Sequence, residues 1–185
     1  MFDIECFIAD CRAALQESSP QSAVKEIVER AMSRPREVEQ ALGTPQWAEI
    51  GTLHRSPELT ILKVIWAPGM SIYPHEHRMW KVMGLYGGRE DNVFYRRTAH
   101  GLVQAGGKQL DSTDTILLGK TVIHAVTNPL RQFTGAIHVY GGDIFAVPRS
   151  EWDPETLEER PYDVENFKRV FLEANERWRA QSAEH

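Results

Sequence analysis

Pro74-His75-Glu76-His77 is the stretch on which the reading of this chain turns. In a β-strand alternate side chains share a face, so His75 and His77 point one way and Glu76 the other. Two imidazoles at that spacing form a chelate for a divalent metal. A third ligand can come from a neighbouring strand, and His124 in Val122-Ile123-His124-Ala125-Val126 is the natural candidate, with Asn128 following it. A lone histidine is most often structural; a pair on one strand face with a third in a second apolar strand is a much stronger signal.

The sequence around these histidines reads as β-structure. From about Trp47 short β-rich runs at 59–67, 79–86, 92–97, 101–104, 115–118, 122–127, 133–140 and 144–147 are punctuated by Pro68-Gly69, Gly87-Gly88, Gly106-Gly107, Asn128-Pro129 and Gly141-Gly142. Many short, evenly spaced strands predict a sandwich or barrel. Before them lies a helical lead-in. Phe2, Ile4, Phe7, Ile8, Cys11 and Leu15 recur at helical spacing, Pro20 opens a second helix, and Pro35 ends it before a short third turn from Arg36 to Leu42. After Pro148 the segment 150–161 is polar and is expected to be solvated surface. A final helix is expected at 164–179, with Phe167, Val170, Phe171 and Trp178 on its apolar side and a frayed tail at 181–185. The expected organisation is one domain, 1–185: helices over 1–45, a barrel over 46–150, and a polar loop with a C-terminal helix over 151–185.

Composition narrows the function classes. With 42% hydrophobic and 25% charged residues, the chain is not intrinsically disordered. Its net charge of −5, with no Lys/Arg-rich block, disfavours binding to a nucleic-acid backbone. No apolar run is long enough to span a bilayer, and the acidic start MFDIECFIADC is unlike a signal peptide, so a cytoplasmic protein without membrane partners is expected. Cys6 and Cys11 lie on different faces of one helical segment, so neither a disulfide framework nor a zinc knuckle is expected. His54, His100 in a hairpin turn and His185 at the last position take structural readings.

The spacing of Gly69, His75, His77 and Gly88 resembles the first motif of the cupin family, and His124 with Asn128 resembles the end of the second, although Gly119 and Thr121 replace its Pro and Gly. The stretch Pro74-His75-Glu76-His77-Arg78-Met79-Trp80, with Gly84, Gly88 and Glu90, is similar to the bacterial branch of the cysteine dioxygenase / 3-mercaptopropionate dioxygenase family. So is Ile137-His138-Val139-Tyr140-Gly141-Gly142-Asp143-Ile144. The likeness covers about Arg55 to Pro148. It implies a mainly β, double-stranded β-helix (jelly-roll) barrel with N-terminal helices and a C-terminal helix. It also implies metal ligation by His75, His77 and His124, catalytic roles for Tyr140 and His138, and an Arg55 that holds a substrate carboxylate. A solvated surface charge is the other reading of Arg55. The implied cofactor is iron(II), with nickel, zinc and manganese as alternatives.

Two departures bear on the substrate. The serine expected before His138 is Ala136, so water or backbone would have to anchor that histidine. The carboxylate expected at position 81 is Lys81. By alternation from His75 and His77, through Met79, Lys81 would enter the barrel and contact an anionic substrate; a bulge would instead turn it to solvent. Trp80 and Glu76 would face away, toward packing or a subunit contact, with a homodimer as the candidate assembly. Three neutral imidazoles leave a divalent ion its full charge, which favours an anionic ligand such as a thiolate. The function that the resemblance implies is oxidation of a small thiol carboxylate to its sulfinate by O₂. The alternatives are a metal-dependent dioxygenase or isomerase acting on a non-thiol anion, and a non-catalytic metal- or ligand-binding protein.

Overall fold

A computed structural model describes residues 1–183. The final residues 184–185, His185 among them, lie outside the described residues. Three helices come first, α1 (Ile4–Ala14), α2 (Pro20–Met32) and α3 (Pro35–Leu42). Eleven strands follow: β1 (Glu49–Arg55), β2 (Thr60–Trp66), β3 (Ser71–Glu76), β4 (Lys81–Gly87), β5 (Arg89–Thr98), β6 (Gly101–Asp111), β7 (Thr115–Leu118), β8 (Ile123–Thr127), β9 (Thr134–Tyr140), β10 (Ser150–Trp152) and β11 (Glu159–Pro161). Helix α4 (Val164–Ala183) closes the order. The strands form two antiparallel sheets, β1-β2-β9-β4-β7 and β11-β10-β3-β8-β5-β6, whose facing surfaces enclose the barrel interior. This is the double-stranded β-helix with helical additions at both ends.

The helices start where their first residues favour it. Asp3 caps α1 by accepting from the Cys6 N–H at 2.8 Å. Pro20 and Pro35 stand at the first turn of α2 and α3, where a missing N–H costs nothing. Val28 and Met32 of α2 lie on the outer face of the five-stranded sheet with Ile61, Ile65, Val82, Ile137 and Val139. Gly84 permits this approach, because a Cβ there would sit 2.6 Å from Val28 Cγ1 and Met32 Cγ. The alternate residues of the same strands face inward. Lys81, Met83 and Leu85 lie opposite Tyr140, His138 and Ala136, and Leu62 and Val64 are registered with His138 and Ala136. Helix α4 packs Phe171 and Ala174 over one end of the barrel, beside Trp66 and Ile72.

Several expectations need correction. Residues 144–147 form a turn rather than a strand; Ala146 and Val147 N–H groups both donate to the Asp143 carbonyl. The polar look of 150–161 concealed a hairpin. Ser150, Glu151 and Trp152 are buried in β10, and Glu151 is satisfied by Arg160 Nε at 2.8 Å, Asn166 Nδ2 at 3.1 Å and the Asp163 N–H at 3.2 Å. The last helix continues to Ala183, so 181–183 is not frayed. Strand β6 runs well past 104, through a register shift opposite Phe94 and Tyr95. Most consequential for the site, β3 and β4 are not one strand. β3 ends at Glu76, Arg78 adopts a positive φ of 55°, and the chain crosses to the other sheet before Lys81.

Candidate metal centre

His75 on β3 pairs across the ladder with His124 on β8, which brings the two imidazoles together. His77 joins them from the crossing segment after β3, not from the strand itself. Ring centroids are 4.8 Å apart for His75–His124, 4.9 Å for His75–His77 and 5.1 Å for His77–His124. Their candidate ligand atoms all lie within 4.8 Å of one another, the one such cluster among the described residues.

Their surroundings suit metal ligation. His75 Nδ1 lies 3.0 Å from the Tyr73 carbonyl, and His124 Nδ1 lies 2.8 Å from Asn92 Oδ1. Each contact places the proton on Nδ1 and leaves the Nε2 lone pair free, the usual outer-sphere orientation of a ligating histidine. His124 Nε2 is buried without a protein partner, a state that is costly unless something else occupies the lone pair. Burial holds the His75 pKa down at about 3 and those of His77 and His124 well below the ordinary value, with the charge of Lys81 adding to the effect. All three are therefore neutral near pH 7, the form that binds metal. A divalent ion is the group these residues fit.

A second layer stands against the triad. The Tyr140 ring lies 5.4 Å from the His77 ring, and its hydroxyl is hydrogen-bonded with His138 Nδ1 at 3.2 Å. Burial raises the Tyr140 pKa, so the phenol stays protonated. Glu90 on β5 is 0% exposed. It accepts from Trp66 Nε1 at 2.5 Å, and the same oxygen lies 3.8 Å from His138 Nε2. Lys81 is 2% exposed, with its ammonium 5.6 Å from the Tyr140 ring centroid. Desolvation pulls its pKa down to about 8 against the opposing pull of Glu90. Lys81 thus stands inside, though by a different route from the expected one: it heads a strand in the opposite sheet, registered with Tyr140.

The structure brings His75, His77, His124, His138, Tyr140 and Lys81 together, and it sets Arg55 apart. Arg55 is half exposed, paired with Asp143 at 2.9 Å and stacked 4.9 Å over Phe145. A different arginine approaches the centre. The charge of Arg149 adds to the lowering that burial imposes on His75 and His77 and opposes the rise at Tyr140, and its guanidinium is stacked 3.8 Å over Tyr162. Sequence reasoning gave no role to Arg149, Asn92 or Glu90. The available signal was alternation along β5, which turns Glu90, Asn92 and Phe94 to one face and Asp91 to the other. Phe94 stacks on His124, and that face is the inner one. Asn128 has a structural role. Its Nδ2 donates to the Ala67 and Gln132 carbonyls at 3.0 and 2.9 Å, and its Oδ1 accepts from the Leu130 N–H at 3.0 Å, which ties two turns together. Glu76 does face away, toward Arg78 and Arg97. Trp80 lies against Gly141 so closely that no side chain would fit there.

No family model matches the chain. Similar solved structures include a cupin superfamily protein from Desulfitobacterium hafniense, at 15% identity and TM-score 0.44, covering 56% of this chain and 86% of that one. An RmlC-like cupin family protein with a double-stranded β-helix fold from Methanocaldococcus jannaschii matches at 8% identity and TM-score 0.47, covering 55% and 86%. Oxalate oxidase in complex with the substrate analogue glycolate matches at 14% identity and TM-score 0.44, covering 54% and 53%. Among the described residues no helix is long and apolar enough to cross a membrane.

Proposed function

We propose that this protein is a metal-dependent thiol dioxygenase that converts a small thiol carboxylate to its sulfinate. The observation that carries the reading is one buried space shared by three neutral imidazoles, the Tyr140–His138 pair and the Lys81 ammonium. His75, His77 and His124 would hold the ion. Iron(II) bound there supplies the electron exchange with O₂ that side chains cannot provide. The reaction balances without an outside reductant: RS⁻ and O₂ give RSO₂⁻, with sulfur oxidised by the same four electrons that reduce O₂.

The chain's own residues supply binding and orientation. Lys81 is in no ion pair among the described residues and faces the Tyr140 ring at 5.6 Å, which leaves its charge to a substrate carboxylate. Such a charge-assisted contact in a dry interior contributes about 1.5–3 kcal/mol. Tyr140 lies over His77 and is held by His138, which fixes its hydroxyl beside the reacting groups. The enclosing sheets exclude water and strengthen each of these contacts.

The test is O₂ consumption by iron-loaded protein across a panel of thiols, with heavy-isotope O₂ placing both oxygen atoms in a sulfinate product. Cysteine or 3-mercaptopropionate should be consumed. The buried Lys81 charge also suits a carboxylate without a thiol; O₂ uptake or isomerisation with such an acid, and none with thiols, would favour that second reading. Metal binding with no turnover of either would make the protein a binding module.

A further inference from the structure

Three glutamates are buried among the described residues, and two of them are held by arginines: Glu76 by Arg78 and Arg97, and Glu151 by Arg160. Glu90 has no guanidinium. Its Oε1 accepts from Trp66 Nε1 and faces His138 Nε2, and its Oε2 is buried without a partner. A buried carboxylate is costly to desolvate, and this one has one hydrogen bond and the nearby charge of Lys81 to offset the cost.

We propose that Glu90 is a positioning residue that acts through His138 to fix the hydroxyl of Tyr140. The inference deepens the functional reading above and rests on it. A neutral imidazole has one N–H and one lone pair. A carboxylate can only accept, whereas a phenol can donate. Glu90 therefore takes the Nε2–H side of His138, and Nδ1 accepts from the Tyr140 O–H at 3.2 Å. The 3.8 Å between Glu90 and Nε2 is longer than a hydrogen bond, as such contacts often are in unliganded sites. Nothing else competes for that nitrogen, since His138 Nε2 is buried with no hydrogen-bond partner among the described residues. Ala136, two residues earlier on the same inner face, lies in an apolar layer with Met83, Leu85 and Leu110 and offers no hydroxyl. With its proton committed to His138, Tyr140 presents oxygen lone pairs to the three-histidine space. It meets a substrate as an acceptor, which favours one that brings its own N–H donor. Burial keeps His138 neutral, so one ring nitrogen carries a proton and the other a lone pair.

The test reads the tautomer directly. Nitrogen-resolved histidine NMR on the metal-free protein, assigned with His138→Gln, should show His138 as the Nε2–H tautomer. Glu90→Leu should switch it to Nδ1–H while leaving metal content unchanged. In the loaded enzyme Glu90→Leu should lower kcat about tenfold with KM little changed, the loss of one oriented hydrogen bond. The same substitution should add nothing in a Tyr140→Phe background. An Nδ1–H tautomer in the unaltered protein overturns the proposal, and so does an equal loss in both backgrounds. The wild-type tautomer decides the geometry even where the leucine variant does not fold. If no thiol is oxidised at all, the functional reading fails, and the NMR result still tests Glu90 by itself.

Discussion

Replacing Lys81 with Met separates what this residue costs the fold from what it gives the site. Met keeps the length and volume and removes the charge. In the folded, metal-free protein burial brings the Lys81 pKa from 10.5 to about 8. At 1.36 kcal/mol per unit, the buried ammonium destabilises the fold by roughly 3 kcal/mol near pH 7. The cation–π contact with Tyr140 returns about 0.5–1 kcal/mol, so Lys81→Met should gain a net of about 2 kcal/mol. For a chain of this size that raises Tm by about 4–8 °C. The sign with pH follows from proton counts. Between pH 8 and 10.5 the unfolded state binds more protons than the folded one, so the wild type gains stability as pH rises. The advantage of the variant is thus full below pH 8 and gone above 10.5. In the loaded enzyme the same change should raise KM for a thiol carboxylate by about 10- to 100-fold, with kcat and the KM of an uncharged thiol little altered. Denaturant melts of the metal-free protein at pH 7 and pH 10.5, paired with steady-state kinetics, measure both. A variant less stable than wild type at pH 7, or equal KM effects on charged and uncharged substrates, would refute the reasoning.

Other substitutions and conditions probe the rest of the account. Tyr140→Phe should lower turnover about 10- to 100-fold with metal content intact, and unchanged turnover would remove the hydroxyl from the chemistry. Asn128→Ala removes donors from two buried carbonyls and an acceptor from Leu130, and should cost about 2–4 kcal/mol in a denaturant melt without changing metal stoichiometry. Acid should destabilise the metal-free protein as pH falls below 6.5. His75 and His138 titrate near 3 and 4 when folded, so the unfolded chain takes up protons first; a pH-independent Tm between 7 and 5 would contradict this burial.

How far the sequence could be read follows from where polarity lies. The histidine trio was legible because an i, i+2 pair and a third histidine in an apolar strand form a pattern that folding preserves. The route was different, since β3 stops at Glu76 and the positive φ at Arg78 turns the chain between sheets. Lys81 reached the interior through its register with Tyr140, not through a continuous face with His75. The barrel strands whose outward residues pack against the helices, such as β2, β4 and β9, were visible as largely apolar runs. β10 and β11 were not, because the buried Glu151 and its partner Arg160 read as solvated charge when seen singly. Glu90 and Asn92 received no role because the expected strand began at 92, so the alternation that turns both inward did not reach back to Glu90. In the opposite direction, the apolar stretch 144–147 suggested a strand, but Asp143 anchors it as a turn.

The central claim is that His75, His77 and His124 hold one divalent ion, and metal analysis of purified protein tests it most directly. The account predicts about one transition-metal ion per chain in the wild type, iron among the metals retained after loading, and loss of most of it in His124→Ala at unchanged secondary structure. Full occupancy in His124→Ala, or no retention of any divalent metal by the wild type, would contradict it.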